Sequence, residues 1–177
     1  PAPGEVFDEA PDCPRAQLDA AMQAAAAAGE DWRRDETVRR ALLGSCSDAI
    51  NTHAEELARV LTLEQGKPLD RALGEIGGAA RWFRYTAKLE IPVEVVLDND
   101  RVRVEVRRRP HGVVAAITPW NYPVSLAVWK IAPALLAGNT MVLKPSPFTP
   151  LATLRLGEIL QEVLPAGVLN VVSGGDE

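Results

Sequence analysis

Cysteine and histidine are scarce in this chain of 177 residues, with two of each: Cys13, Cys46, His53 and His111. Cysteines so far apart form neither a disulfide framework nor a zinc-ligand spacing, so no metal site is expected. A reducing, cytoplasmic compartment is the default for such a chain. No apolar run reaches the ~18 residues of a membrane span. The first residues have neither the basic start nor the apolar stretch of a signal peptide. They also lack an initial Met, as expected of a processed chain or one that begins inside a longer one. Excess positive charge is missing too: 19 Lys and Arg face 24 Asp and Glu, a net charge of -5, which argues against a nucleic-acid surface. A G-x-G-x-x-G fingerprint is absent.

What is present is ordinary for a soluble globular protein, 47% hydrophobic and 24% charged, and long enough for one good core. Residues 1–14 read as an extended or hairpin lead-in, with Glu5-Val6-Phe7 as a candidate strand. From Arg15 the pattern turns helical, through an alanine run that Gly29 is expected to stop. Leu42, Leu43, Cys46, Ala49, Ile50, Leu57, Val60 and Leu61 recur at the spacings of one amphipathic helix. Cys46 on that face reads as a small buried hydrophobe rather than a nucleophile. His53, beside the stripe and without an acidic or cysteine partner at ligand spacing, reads as a surface or boundary histidine.

Gly66-Lys67-Pro68 breaks the helix. The next begins near Leu69 and is expected to bring Leu73, Ile76, Ala80, Phe83 and Tyr85 to one face. Gly77-Gly78 marks a weak point or a close helix contact, and Glu75 and Arg81 read as solvated charges. Residues 91–109 change period. Val102, Val104 and Val106 alternate with charged residues, Val93 and Val95 do so upstream, and Asp98-Asn99-Asp100 is turn chemistry. This predicts a two-stranded ribbon with one apolar face, covered by a partner subunit or by the rest of its own chain. Arg107-Arg108-Arg109 alternates across the ribbon, as a solvated edge does.

After Pro110-His111-Gly112, residues 113–117 form an apolar run without alternation, which fits a strand buried on both faces of a parallel sheet. A helix over 124–137 follows, closed by Gly138-Asn139, then a second buried strand over 140–143 that ends in Lys144. Thr149 as N-cap and Pro150 at the first helical position open another helix, stopped after Leu164 by Pro165. Residues 168–172 form a third strand, ending at Ser173-Gly174-Gly175. The order β-α-β-α-β is one half of a doubly wound nucleotide-binding fold, whose ligands sit beyond the carboxyl ends of the strands. Those ends carry Asn121, Lys144 and two glycines. Each has a plain reading as well: an N-cap, a solvated strand end, a turn. Together at one edge they favour a dinucleotide or phosphate ligand.

The run Ile117-Thr118-Pro119-Trp120-Asn121-Tyr122-Pro123 is followed by Trp129-Lys130, Pro133-Ala134-Leu135, Ala137-Gly138-Asn139-Thr140, Val142-Leu143-Lys144-Pro145-Ser146 and Gly167-Val168-Leu169-Asn170-Val171-Val172. In that order and spacing these residues resemble the NAD(P)-dependent aldehyde dehydrogenase superfamily. Residues 61–69, Leu-Thr-Leu-Glu-Gln-Gly-Lys-Pro-Leu, resemble its amino-terminal helical segment, and the likeness covers essentially the whole chain. It implies an α/β fold with amino-terminal helices, a β ribbon and the first β-α-β-α-β half of a Rossmann-like sheet, an incomplete form of the family's fold. By domain, it implies an amino-terminal helical part of the cofactor-binding domain over 1–90, an oligomerisation arm over 91–110, and the first half of the NAD(P)-binding sheet over 111–177. By residue, Asn121 matches the oxyanion-hole amide. Ile117, Thr118, Pro119, Trp120, Lys144, Ser146, Pro147 and Gly174 match cofactor-binding positions, and Tyr122, Ser125, Leu126 and Trp129 match the aldehyde tunnel. The implied cofactor is NAD or NADP, the partner a small-molecule aldehyde, the parent a homo-oligomer, with neither membrane nor nucleic acid.

Two departures stand out. Pro147 occupies the position where the family often carries a ribose-binding Glu, which leaves NAD and NADP both open. The chain also ends before the family's nucleophilic Cys and Glu base, so it is expected to be an amino-terminal portion, inactive alone. The competing reading is a non-catalytic dinucleotide-binding or assembly module made from the same half sheet.

Overall fold

The computed structural model describes residues 4–175, so residues 1–3 of the expected lead-in lie outside it. The elements run α1 (Arg15–Trp32), α2 (Glu36–Thr52), α3 (Ala54–Gln65), α4 (Leu69–Thr86), β1 (Glu94–Asp98), β2 (Arg103–Val106), β3 (Val113–Ile117), α5 (Pro123–Leu136), β4 (Thr140–Lys144), α6 (Leu151–Gln161) and β5 (Leu169–Val171). The last three strands form a parallel sheet in the order β3-β4-β5. With α5 and α6 as its crossovers, this is the expected half of a Rossmann-like fold.

Alternation along β4 decides which helix lies where. The Thr140 hydroxyl donates to the Ala25 carbonyl at 2.8 Å, so that face of the strand meets α1. Leu143 aligns with Val171, whose side chain lies against Gly157 of α6, so the other face meets the crossover helices. The helices α2, α3 and α4 then pack outside α5 and α6. One continuous core joins them, from Leu43, Ile50 and Leu61 through Ile76 and Phe83 to Ile131, Leu143 and Leu156. Cys46 lies fully buried in it, and burial pushes its thiol up to about 12. It is a core residue, as its spacing predicted.

Several expectations give way to tertiary structure. Residues 5–7 form no strand. The first helix passes Gly29 and runs to Trp32, which is drawn into the core where its indole N–H donates to the Leu135 carbonyl. The single long helix is two, α2 and α3, because His53 leaves helical geometry. Its Nδ1 meets Glu56 Oε2 at 2.8 Å, so it does have an acidic partner, three residues on. On α4, Tyr85 points to the side opposite Ile76 and is exposed, as is Leu73, while Ala72 and Ala79 are buried in their place. Gly77 and Gly78 lie nearest to Arg81 of their own helix rather than to another helix.

The ribbon forms, but a bulge between Val95 and Leu97 places Val95 opposite Glu105 and Leu97 opposite Val104. The valines on the two strands therefore do not share one face. Strand β3 is an edge strand, and Ala115 and Ile117 are exposed, so it is not buried on both sides. Finally, α6 ends at Gln161 rather than at Leu164.

The start of α6 is also unlike the expectation. Thr149 makes no cap, Pro150 takes that place, and the carboxylate of Glu64 on α3 accepts from Leu151 N (2.8 Å) and Ala152 N (2.9 Å). Burial pushes the Glu64 carboxyl up to about 7, against the two backbone N–H groups that favour its charge. A carboxyl with a folded pKa above its unfolded value of ~4.3 binds more protons when folded. The stability it contributes is full below that value and is lost as pH rises through about 7. Glu64→Gln mimics the protonated form. Its denaturation midpoint is expected to gain on the wild-type midpoint as the pH is raised from ~5 to ~7.5. Parallel pH curves would count against this assignment.

Candidate active site

The three carboxyl ends meet at one edge of the sheet. Ile117 pairs with Lys144, Thr118 N donates to the Lys144 carbonyl (3.1 Å), and Val172 N donates to the Leu143 carbonyl (2.9 Å). Thr118 is buried, and its hydroxyl has no partner among the described residues. Lys144 is half-buried at the strand end. Ser146 is buried in its own turn, its hydroxyl accepting from Phe148 N, while Pro147 is exposed. Gly174 is half-buried beside the lead-in: Cys13 N donates to the Ser173 carbonyl, and a side chain at Gly174 would come within 3.3 Å of the Asp12 carboxylate.

Between Thr118 and α5 the chain turns through Pro119, Trp120 and Asn121, all exposed. Asn121 is not the helix cap. Tyr122 holds that position, without a side-chain bond. The orphan N–H groups of α5 are instead met by Glu75, whose Oε1 accepts from Val124 N (3.1 Å) and Ser125 N (3.0 Å). The Glu75 side chain is 1% exposed, and its other oxygen pairs with Lys67. It is the opposite of a solvated charge. At the far end of α5, buried Arg39 donates to the Leu136 carbonyl (3.0 Å) and to the Trp32 carbonyl. The helix is thus held by an anion at its positive end and a cation at its negative end, as its dipole favours.

The turn itself is gripped from the α3–α4 connection. Gln65 Nε2 donates to the carbonyls of Trp120 (2.8 Å) and Asn121 (2.7 Å), and Lys67 lies 4.0 Å above the Tyr122 ring. Gly66 permits this by adopting a φ of +79°, which turns the chain sharply after α3. An open cavity of about 850 Å³ lies here, lined by Lys67, Arg71, Gly74, Trp120, Tyr122 and Ser125 among others. From the N-cap into α5, Tyr122, Ser125, Leu126 and Trp129 follow one helical stripe, with Tyr122 and Trp129 about half exposed and the Trp129 ring tilted against that of Trp82, centroids 6.0 Å apart.

The fold therefore places Thr118, Lys144 and Gly174 at the carboxyl ends of β3, β4 and β5, with Asn121 in the turn between β3 and the stripe on α5. The sequence reading missed Gln65, Lys67 and Glu75. A signal for Glu75 was present: it falls between Ala72 and Ala79 on the stripe that α4 buries.

The profile described as "Aldehyde dehydrogenase family" matches residues 1–177. The chain is 43% identical to a phenylacetaldehyde dehydrogenase of Pseudomonas fluorescens, over 100% of this chain and 38% of the relative. It is also 43% identical to an NADP/NAD-dependent aldehyde dehydrogenase of Escherichia coli K12, over 89% of this chain and 33% of the relative. A crystal structure of an E. coli NADP-dependent enzyme superposes with a TM-score of 0.93 at 39% identity, covering 98% of this chain and 37% of that one. The chain thus spans less than two fifths of the length of these relatives.

Proposed function

Because the chain belongs to the aldehyde dehydrogenase family, we propose that it forms the amino-terminal part of an enzyme that oxidises an aldehyde to a carboxylic acid with NAD or NADP. The observation that carries this reading is the Trp120–Asn121 turn, pinned by Gln65 between a nucleotide-type sheet edge and an apolar stripe. Asn121 is the oxyanion donor: its amide N–H bonds the carbonyl oxygen as a nucleophile adds and negative charge develops there.

The donors at the sheet edge fit a dinucleotide. Lys144 supplies an ammonium, the unpartnered Thr118 hydroxyl a further donor, and Gly174 an approach for the adenosine end, with Ile117, Pro119, Trp120, Ser146 and Pro147 lining the cradle. A dinucleotide held by these residues would supply the hydride acceptor for oxidation of the aldehyde carbon. Pro147 offers no carboxylate to a ribose and none to repel a 2′-phosphate, which admits both cofactors. Tyr122, Ser125, Leu126 and Trp129 line the aldehyde path. Residues 1–90 and 111–177 build the cofactor domain, and the ribbon over 91–110 is an assembly arm of a cytoplasmic homo-oligomer. Among the described residues, no helix is long and apolar enough to cross a membrane.

Cys46, sealed in the core with its thiol held protonated, is not the nucleophile, and the family resemblance assigns that residue to another part of the full-length polypeptide rather than to Cys13 in the lead-in. The test is aldehyde-dependent reduction of NAD or NADP by the full-length polypeptide that carries this chain. Turnover with a set of aliphatic and aromatic aldehydes is the expected result. Binding of dinucleotide without turnover of any aldehyde would favour a non-catalytic module.

A further inference from the structure

The turn that presents Asn121 does not hold itself. The carbonyls of Trp120 and Asn121 accept no backbone N–H among the described residues. Their close contacts are with one side chain, Gln65, whose single amide nitrogen reaches both at 2.8 and 2.7 Å. Thr149 Oγ1 approaches the Trp120 carbonyl only to 3.5 Å, and Lys67 Nζ the Asn121 carbonyl to 3.4 Å. Lys67 is itself fixed by Glu75, which also anchors the first turn of the following helix. Three side chains around the α3–α4 connection thus set the place of the two peptides that flank Asn121.

Resting on the oxyanion role given above to Asn121, we propose that Gln65 is a positioning residue for that donor. It fixes the peptides on both sides of Asn121, through the Trp120 and Asn121 carbonyls, so that the Asn121 amide is already aimed where the oxyanion forms. The chemistry requires this. A donor contributes fully only if it needs no reorganisation when charge appears, and misplacement by about 1 Å costs on the order of 100-fold in rate. An exposed turn without backbone hydrogen bonds supplies no such rigidity alone. Gln65 touches neither aldehyde nor cofactor in this role and acts through Asn121.

The test is a double-mutant cycle in the full-length polypeptide, using Gln65→Met, Gln65→Glu, Asn121→Ala and the combinations. Each Gln65 change removes a donor to the two carbonyls. Each is expected to lower kcat by ~10- to 100-fold and to leave dinucleotide affinity unchanged. In the Asn121→Ala background the same changes are expected to alter kcat by less than ~2-fold, because the group they position is gone. Equal losses in both backgrounds would overturn the proposal, as would wild-type kcat in Gln65→Met. If Gln65→Met fails to fold, the near-isosteric Gln65→Glu carries the test, and full kcat in that variant overturns it. Should Asn121→Ala itself leave kcat unaltered, the oxyanion reading falls and this one with it. If Asn121→Ala is impaired and the Gln65 effect is merely additive, only the positioning role falls.

Discussion

Replacing Asn121 by Ala in the full-length polypeptide is expected to lower kcat by ~100- to 1,000-fold, with little change in dinucleotide affinity. The size follows from the kind of interaction lost. A neutral amide donates weakly to a ground-state carbonyl but strongly to the same oxygen once it carries charge. Its removal therefore falls on the transition state, at about 3 kcal/mol. Asn121 is exposed and is not the cap of α5, so the substitution leaves no buried orphan and no uncapped helix. Stability should stay within ~0.5 kcal/mol of wild type. Steady-state kinetics and a denaturation midpoint on the same preparation separate the two effects. A variant that loses stability along with activity would point to a structural Asn121 instead.

Glu75→Ala should behave in the reverse way. Here a side chain with 1% exposure bridges Lys67 and two N–H groups of α5. Truncation leaves an ammonium that is 12% exposed without its counter-charge, and two helix donors without an acceptor. Breaking a buried pair on one side typically costs ~3–5 kcal/mol. Folded domains are stable by only ~5–15 kcal/mol, so the loss is a large share of the whole. Glu75→Gln keeps an acceptor for the helix end and should lose less than Glu75→Ala. Equilibrium unfolding of the three proteins checks the order, and an unchanged midpoint in Glu75→Ala would show that the pair contributes nothing net.

The contrast between these two residues explains which parts were legible in the sequence. Local periodicity carries the half sheet: the unbroken apolar runs around Val142 and Leu169 and the helix-closing Gly138 place β4, α5 and β5 within a residue or two. It also places the polar groups that end the strands. What periodicity does not carry is contact between distant segments. Glu75 and Val124 are far apart in the chain, and only packing of α4 against α5 turns a charged residue into a helix cap. Glu64 does the same for α6, which is why Thr149 looked like a cap and is not one. The bulge at the ribbon is local, yet it reverses the face of Val95, because a one-residue shift moves every side chain beyond it to the other side. The Pro119-Trp120-Asn121 turn was the most informative stretch. Its order and spacing point to the family directly, while its rigidity comes from Gln65 and was invisible until the fold was known.

The central claim, that this sheet edge cradles a dinucleotide beside Asn121, is tested most directly by titrating NAD and NADP against tryptophan fluorescence. The titration is made on the full-length polypeptide, with Trp120→Phe to assign the signal and Lys144→Ala to weaken the cradle. Saturable quenching is expected, largely lost in Trp120→Phe and shifted to ~10-fold higher cofactor concentration in Lys144→Ala, the scale of one charge-assisted hydrogen bond. No response at millimolar cofactor, or a response that ignores Lys144, would contradict it.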